Sequence, residues 1–503
     1  MFKKFPFYPL IFSVFPVLSL AAHNIREISF DVVYRPLILS FLFCVIIFGV
    51  MWLFLRDWSR SALITSIVLF VFFSYGQIYN ALEGLTISNV FIFRHRTLLP
   101  LFGLLMLAGL LWIIRKNKQP ARFTLWLNLL SVYLLMYPIF TIVWHGIQQL
   151  EADRSVSALS AQTAVNTNQP DIYYIILDAY GREDVLLNKL GYDNSEFINS
   201  LTQRGFYVAK CSQSNYSYTQ VSLPSSLNYD YLQNLNATRD SYRVALLKHG
   251  AVRSFLEANG YKVVAFPTGW DYTEWRDADL YLDYARPAIF ITEFEELVLD
   301  TTVIRAVLDL RITNQNNVSQ KNSKGSSETL RQLRVLSVLN NLKKMPALDG
   351  KLFVFAHIVV PHPPYSFGPN GEWIQFDEQN ATYDEIRVAY INQVKFINRE
   401  ILDVIDVILR ESKKPPVIIV QGDHGPPPEL SPTYLEKMPI LNAYYLPGIQ
   451  TKDVLYPSIS PVNSFRVVLN SYFDQNLPLL EDHSYYSDHS EYNLVPNSCP
   501  GNP

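Results

Sequence analysis

Hydrophobic and polar positions divide this chain of 503 residues near residue 147. Before that point, apolar runs approach the ~20 residues that a bilayer core demands. They cover roughly 7–22, 36–55, 61–80, 98–114 and 123–145. The stretch PLILSFLFCVIIFGVMWLFL at 36–55 carries no charge, and a soluble core helix is rarely apolar on every face. The pattern therefore predicts an α-helical transmembrane domain of five spans over 1–147. Basic residues orient it. Lys3, Lys4, Arg56, Arg60, Arg115, Lys116, Lys118 and Arg122 lie on one side, and Arg26, Arg35, Arg94 and Arg96 on the other. The bias puts the amino terminus inside and everything after 147 outside the cytoplasm. SLAAHN at 19–24 also fits a signal-peptide cut. Cleavage would leave four spans with the large domain on the same side.

After residue 147 the pattern changes. Residues 148–170 are polar and unpatterned, which predicts a linker. Residues 171–177 then read as a buried strand. Further strands are predicted near 206–209, 261–266, 352–358, 416–420 and 440–446, and helices near 194–204, 241–259, 327–344 and 383–411. In the last helix Ile386, Tyr390, Val394, Ile397, Ile401, Ile405 and Leu409 recur at three- and four-residue steps. Such alternation predicts an α/β domain with a largely parallel central sheet over 171–475. A C-terminal tail follows over 476–503, and 313–327 reads as a mobile loop.

Composition changes this picture little. The formal net charge is −3, so bulk binding of nucleic acid is not indicated. Of three cysteines, Cys44 is in a span, while Cys211 and Cys499 are both exported, where oxidation is permitted. Whether those two pair is left open, because sequence alone cannot fix a bridging distance.

The chemistry gathers at strand ends. VIIVQGDHG at 417–425 is an apolar run that stops at Asp423, His424 and Gly425. A carboxylate beside an imidazole at the end of a buried strand is costly unless both are satisfied. A divalent ion satisfies them, and N/O ligands suit zinc or manganese. DIYYIILDAYGR at 171–182 repeats the strand-then-acid arrangement with Asp178, although a lone acid there is commonly a turn former or cap. Ligands of open α/β sheets bind beyond such strand ends. The turn SNYSYTQVSLPSSLN at 214–228 offers Ser217, Thr219 and Ser222, any of which a metal could activate as a nucleophile.

With these residues in view, the exported domain resembles the alkaline phosphatase and sulfatase superfamily. Within it, the chain is similar to membrane-bound phosphoethanolamine transferases and lipoteichoic acid synthases, which also have five spans before an extracytoplasmic catalytic domain. Asp178 with Arg182 and Gly191-Tyr192 resembles the family's first metal acid and its surroundings. Thr219, Ser222 and Pro224 resemble the transferase motif Thr-x-x-Ser-x-Pro, and that match selects Thr219 over Ser217. Asp423, His424 and Gly425 resemble the Asp-His-Gly metal motif. His362 in VVPHPPY (359–365) resembles the substrate-side histidine. The resemblance spans roughly 171–450. It implies one divalent metal held by Asp178, Thr219, Asp423 and His424, a phospho-group carried on Thr219, and His362 as an aid to the donor or leaving group.

The departures restrict the substrate. Asp178 is followed by Ala179 rather than a second acid. The formylglycine precursor Cys-x-Pro-Ser-Arg is absent, since Ser-Gln-Ser follows Cys211. GPPPELSPTYLEKMP (425–439) lacks the further histidine of the transferases, and Ser225 stands where lipid A enzymes have a cysteine. The expectation is a multi-pass enzyme of a bacterial inner membrane. It would move a phosphoalkyl group, phosphoethanolamine or phosphoglycerol, from a phospholipid to an envelope glycan or lipid. A phosphoester or sulfoester hydrolase with the same site, and a catalytically dead membrane-bound scaffold, are the alternatives. His357 is expected to pack and hydrogen-bond rather than to act in catalysis, TGWDYTEW (268–275) reads as a surface loop with lining of a sugar or headgroup pocket as the alternative, and His483 and His489 are given no role.

Overall fold

In a computed structural model of the protein, the described residues are 5–82, 85–87, 90–91, 93–116, 122–157, 169–284, 291–314, 325–378, 380–487 and 492–499. They divide into two compact units. One comprises 1–147 with 287–330, the other 148–286 with 331–503.

The first unit is helical. It contains α1 (Tyr8–His23), α2 (Tyr34–Leu55), α3 (Trp58–Leu82), α4 (His95–Leu111) and the start of α5 (Arg122–Ser157). Among the described residues four helices, Phe30–Leu55, Trp58–Leu82, His95–Arg115 and Phe123–Val156, are long and apolar enough to cross a membrane. The remaining expected span, α1, has 16 residues with Pro16 inside it. At 1.5 Å per residue it reaches only about 24 Å. The basic loop between the fourth and fifth expected spans lies partly outside the described residues, at 117–121.

The segment 287–330 belongs to this helical unit rather than to the sheet. Its helix Glu293–Asp300 starts with a capping box, in which Thr292 Oγ1 accepts from Glu295 N and Glu295 Oε2 accepts from Thr292 N. A second helix, Ile304–Asn314, follows. Two backbone bonds tie the segment to α3, Gly76 N to Thr301 O (3.0 Å) and Val303 N to Phe72 O (2.9 Å). Gly76 is required there, because a Cβ would lie 2.0 Å from Asp300 O. His95 adds a polar clasp: it stacks on Tyr79 at 3.9 Å, shares a 2.7 Å bond with Tyr75 Oη, and meets Asp309 at 2.9 Å. Gly76→Ala should therefore release this segment, and limited proteolysis of the full chain should cut within 291–314 at least about tenfold faster. An unchanged cleavage pattern would show that the contact is dispensable. Residues 315–324 of the expected loop lie outside the described residues.

The second unit is built on a seven-stranded sheet. Its strands are β1 (Ile172–Leu177), β2 (Tyr207–Val208), β3 (Tyr261–Ala265), β4 (Leu280–Tyr281), β5 (Lys351–Ile358), β6 (Val417–Gly422) and β7 (Asn442–Tyr445). The spatial order is β2-β7-β6-β1-β5-β3-β4. The five from β6 to β4 are mutually parallel, whereas β7 runs antiparallel to β6, and β2 to β7. Every residue of β1 and β6 is buried, as expected for strands covered on both faces. Tyr173, Ile175 and Leu177 join one core, and Ile172, Tyr174 and Ile176 the other. The long predicted helix is Tyr383–Glu411, capped by Thr382 and Glu385, with Ile386, Tyr390, Val394, Ile397, Ile401 and Ile405 buried. The register positions the site. Leu177, the last residue of β1, pairs with Ile358 of β5 on one side and Gly422 of β6 on the other. Asp178 and Asp423 thus leave adjacent strands at the same level.

Two expectations are corrected. The predicted helix 241–259 is two helices, Asp240–Lys248 and Ala251–Ala258. Asn228 holds the break, donating to Leu246 O (2.9 Å) and accepting from Ala251 N (2.9 Å). The predicted linker begins as helix, since α5 continues to Ser157. Ala152 and Val156, four residues apart, bury one face among Tyr216, Leu232 and Leu246. Residues 158–168 lie outside the described residues.

Cys211 and Cys499 form a disulfide, with Cα atoms 5.1 Å apart. It fastens a hairpin, β8 (Ser484–Ser487) and β9 (Tyr492–Val495), beside residues 213–216. Tyr485 N donates to Asn215 O (2.9 Å), Ser484 Oγ to Ser214 O (2.8 Å), and Ser498 N to Gln213 Oε1 (2.6 Å). Cys499→Ser should cost about 2–5 kcal/mol of stability. Urea unfolding of the purified chain checks it, and a midpoint within error of wild type would refute it.

Candidate metal centre

The centre lies where β1, β6 and a short helix, α6 (Thr219–Leu227), converge. Asp178, Asp423 and His424 each present a ligand atom within 4.8 Å of the others. All three are buried, as is Thr219, the first residue of α6. Thr219 Oγ1 donates to Asp423 Oδ2 (2.7 Å) and lies 3.5 Å from His424 Nε2. His424 Nε2 is 3.5 Å from Asp178 Oδ1 and 3.7 Å from Asp423 Oδ2. The four residues expected as ligands are therefore together. Helix N-termini also favour negative charge.

Each side chain is oriented by neighbours. His424 Nδ1 is 2.8 Å from Gly425 O, so it carries the proton and leaves the Nε2 lone pair facing the acids. Asp423 Oδ1 accepts from His424 N (3.0 Å) and Ala179 N (3.1 Å). Ala179 reaches that position in the left-handed region, at φ 64°, a conformation that costs an L-residue about 1–2 kcal/mol. Ser222 Oγ and Ser214 Oγ both donate to Asp423 O, at 2.7 and 2.5 Å. Ser222 thus supports the backbone of the acid, while Thr219 meets its carboxylate. Gly425 is needed because a Cβ would sit 2.4 Å from Glu436 O.

The electrostatics are those of a site built around a cation. Burial acts against the charged form of Asp178, but the neighbouring imidazoles, chiefly those of His362 and His357, outweigh it and hold this carboxyl well below the usual range. Burial, and then the charge of Asp178, pushes Asp423 up to about 6. Burial, and then Lys437, pushes His424 down to about 3, so it is neutral and able to ligate. Asp178 Oδ1 is buried with no hydrogen-bond partner among the described residues. An orphaned carboxylate oxygen facing an imidazole lone pair fits a divalent ion, and two carboxylates, one imidazole and one hydroxyl suit zinc or manganese.

His362 is half-buried beside the centre, its ring 6.3 Å from that of His424. Its Nδ1 donates to Pro363 O (2.6 Å), which leaves Nε2 as the nitrogen that can give or take a proton. Arg182 and Gly191-Tyr192 are outside the centre. Arg182 is held by Asp184 (2.6 and 2.9 Å) and Ser212 O (3.0 Å), and Gly191 takes a positive φ of 69°.

His357 is buried and hydrogen-bonded, as expected, and places Nε2 3.1 Å from Asp178 Oδ2, where it orients that acid. Its position in β5, paired with Ile176, puts it there. Sequence reasoning missed a second neighbour, Lys437. It is buried with Nζ 3.2 Å from His424 Nδ1 and 3.2 Å from Pro426 O. Burial lowers it to about 8. No local pattern marked it, because Gly425 N to Lys437 O (2.7 Å) brings it there from a separate turn. The expected surface loop 268–275 is also corrected. Trp275 is fully buried and stacks on Phe355 at 4.2 Å, while Trp270 meets His362 edge-on at 6.4 Å. His483 binds Tyr231 and Asn215 through its backbone, and His489 lies outside the described residues.

Comparison with known proteins follows the geometry. Solved structures similar to this chain include the integral membrane protein lipooligosaccharide phosphoethanolamine transferase A from Neisseria meningitidis. It is 12% identical, covers 92% of this chain and 95% of its own, and has a TM-score of 0.40. The C-terminal periplasmic domain of EcEptC from Escherichia coli is 13% identical over 67% of this chain and 96% of its own, with a TM-score of 0.42. The C-terminal periplasmic domain of phosphoethanolamine transferase EptC from Campylobacter jejuni is 12% identical over 64% and 95%, with a TM-score of 0.38. No curated protein matches the sequence. The sulfatase family model matches residues 170–454, more than half of the chain and all of the strand ends that carry the centre. The chain belongs to the sulfatase family.

Proposed function

We propose that this protein is a membrane-anchored, metal-dependent transferase. It moves a phosphoalkyl group, phosphoethanolamine or phosphoglycerol, from a phospholipid to an envelope glycan or lipid by way of Thr219. The domain over 171–475 works outside the cytoplasm of a bacterium, after five spans and a linker. The observation that carries this reading is the Thr219 hydroxyl, 2.7 Å from Asp423 Oδ2, at a helix N-terminus beside two further metal-type ligands.

Asp178, Asp423, His424 and Thr219 would hold the ion, which supplies Lewis acidity and neutralises charge gathering on the phosphoryl oxygens. Thr219 Oγ1 attacks phosphorus, and its proton passes to Asp423 Oδ2. The bond from phosphorus to the diacylglycerol oxygen breaks, and that oxygen takes a proton from His362. In the second half an acceptor hydroxyl attacks the phospho-threonine and gives its proton to His362. The phosphorus–Thr219 bond breaks and Thr219 recovers its proton. Burial around Thr219 slows premature hydrolysis.

The test incubates the purified full chain with vesicles of phosphatidylethanolamine and phosphatidylglycerol, and seeks an adduct on Thr219 by mass spectrometry. A phosphoalkyl mass that persists in water and clears on adding envelope glycan or lipid supports transfer. Rapid release into water without acceptor favours a hydrolase, the reading left open by the absence of histidine from 425–439. No adduct and no bound metal would favour a scaffold.

A further inference from the structure

We infer that Tyr390 is a positioning residue of the metal centre, whose hydroxyl clamps the turn 178–181 and so sets both carboxylates for the ion. This role rests on the metal centre proposed above, and Tyr390 itself is not a ligand. Tyr390 belongs to the helix Tyr383–Glu411 and is fully buried. In the sequence it reads as one more apolar position of that helix. Its hydroxyl has a different task. It donates to Ala179 O (2.8 Å) and accepts from Gly181 N (3.2 Å), so one oxygen bridges two backbone groups of the same turn.

The turn needs such a clamp. Ala179 holds φ 64°, a left-handed conformation that an L-residue keeps only when its surroundings enforce it. The peptide unit just before Ala179 serves the centre at both ends. Its N–H, from Ala179, donates to Asp423 Oδ1 (3.1 Å), and its carbonyl, Asp178 O, accepts from His362 N (3.1 Å). The unit just after Ala179 is the one that Tyr390 holds. Relaxation of Ala179 to an ordinary φ would turn these units against each other. It would change the angle at which Asp178 leaves β1 and withdraw one of the two backbone donors on Asp423 Oδ1. One hydroxyl thus governs both acids without touching either, as outer partners of metal ligands do. A matched control sits on the same turn. Tyr180, also fully buried, accepts from Asn194 Nδ2 (2.9 Å) and donates to Asn398 Oδ1 (2.5 Å), bonds that join side chains only.

The experiment titrates the metal-stripped full chain with cobalt(II), whose visible absorption reports its ligands, and follows thermal unfolding in parallel. Tyr390→Phe should weaken cobalt binding at least about tenfold and displace the absorption band. Tyr180→Phe should lower stability to a similar degree and leave cobalt affinity within about threefold of wild type. Equal affinity in wild type and Tyr390→Phe, or an equal loss in the two variants, would overturn the clamp while the centre stands. A wild-type chain that takes up no cobalt would overturn the centre and the clamp together. Should Tyr390→Phe not fold, hydrogen exchange in the metal-stripped wild type decides. Gly181 N–H should exchange at least about 100-fold more slowly than an open amide, because the clamp is set before the ion arrives. Exchange at the open rate would overturn it.

Discussion

Thr219→Ala should abolish the proposed phosphoalkyl transfer, lowering turnover by about 10⁴-fold or more, because the proposed nucleophile is removed and a single nucleophile can account for most of such catalysis. The fold should survive. The mutation deletes one hydroxyl bonded to Asp423 Oδ2, and Asp423 Oδ1 keeps its two backbone donors. The stability cost should stay near ~1–3 kcal/mol, that of one lost buried hydrogen bond. Metal analysis and thermal unfolding separate this from misfolding. The variant should still bind metal and unfold cooperatively, while the adduct disappears. Thr219→Ser should keep the adduct at a reduced rate. An adduct that reappears on Ser217 would reassign the nucleophile.

Asp178→Asn should trade metal for stability. In the metal-free protein two buried carboxylates face each other, and Asp178 Oδ1 has no donor. The amide removes one charge. Its oxygen can still accept from His357, and its NH₂ finds the His424 Nε2 lone pair, 3.5 Å away in the parent. The chelator-treated variant should therefore be about 1–2 kcal/mol more stable than chelator-treated wild type. Metal affinity should fall at least about 100-fold, since a charged ligand is lost outright. Saturating metal should reverse the order, because binding stabilises wild type by RT ln(1 + [L]/Kd) and the variant scarcely at all. Unfolding with and without zinc or manganese checks both signs. A variant less stable than wild type without metal would show that Asp178 serves the fold rather than an ion.

The strands that carry the acids were legible because they are buried on both faces. IYYIIL and VIIVQG leave little choice but a central strand, and the residue after each must emerge at the sheet edge. The family resemblance then implied the ligand set. Thr219 needed the family resemblance, because Ser217 and Ser222 are equally plausible in a hydroxyl-rich turn until the direction of α6 is known. Lys437 was illegible for another reason. Its place comes from the short helix Tyr434–Lys437 returning to the site, which leaves no local period. The helical start of the predicted linker was hidden because only Ala152 and Val156 mark its buried stripe. Membership of 287–330 in the helical unit rests on long-range backbone bonds at Gly76 and Phe72 that no window of sequence contains.

The hairpin fastened by Cys499 bears on how such an enzyme matures. A nascent chain halted before residue 484 would already own Asp178, Thr219, Asp423 and His424, yet residues 213–216, just ahead of the threonine, would lack the strand that braces them. On the proposed function, competence would then wait on export of the final segment and on an oxidant, and a half-secreted copy would have little means to modify lipid prematurely.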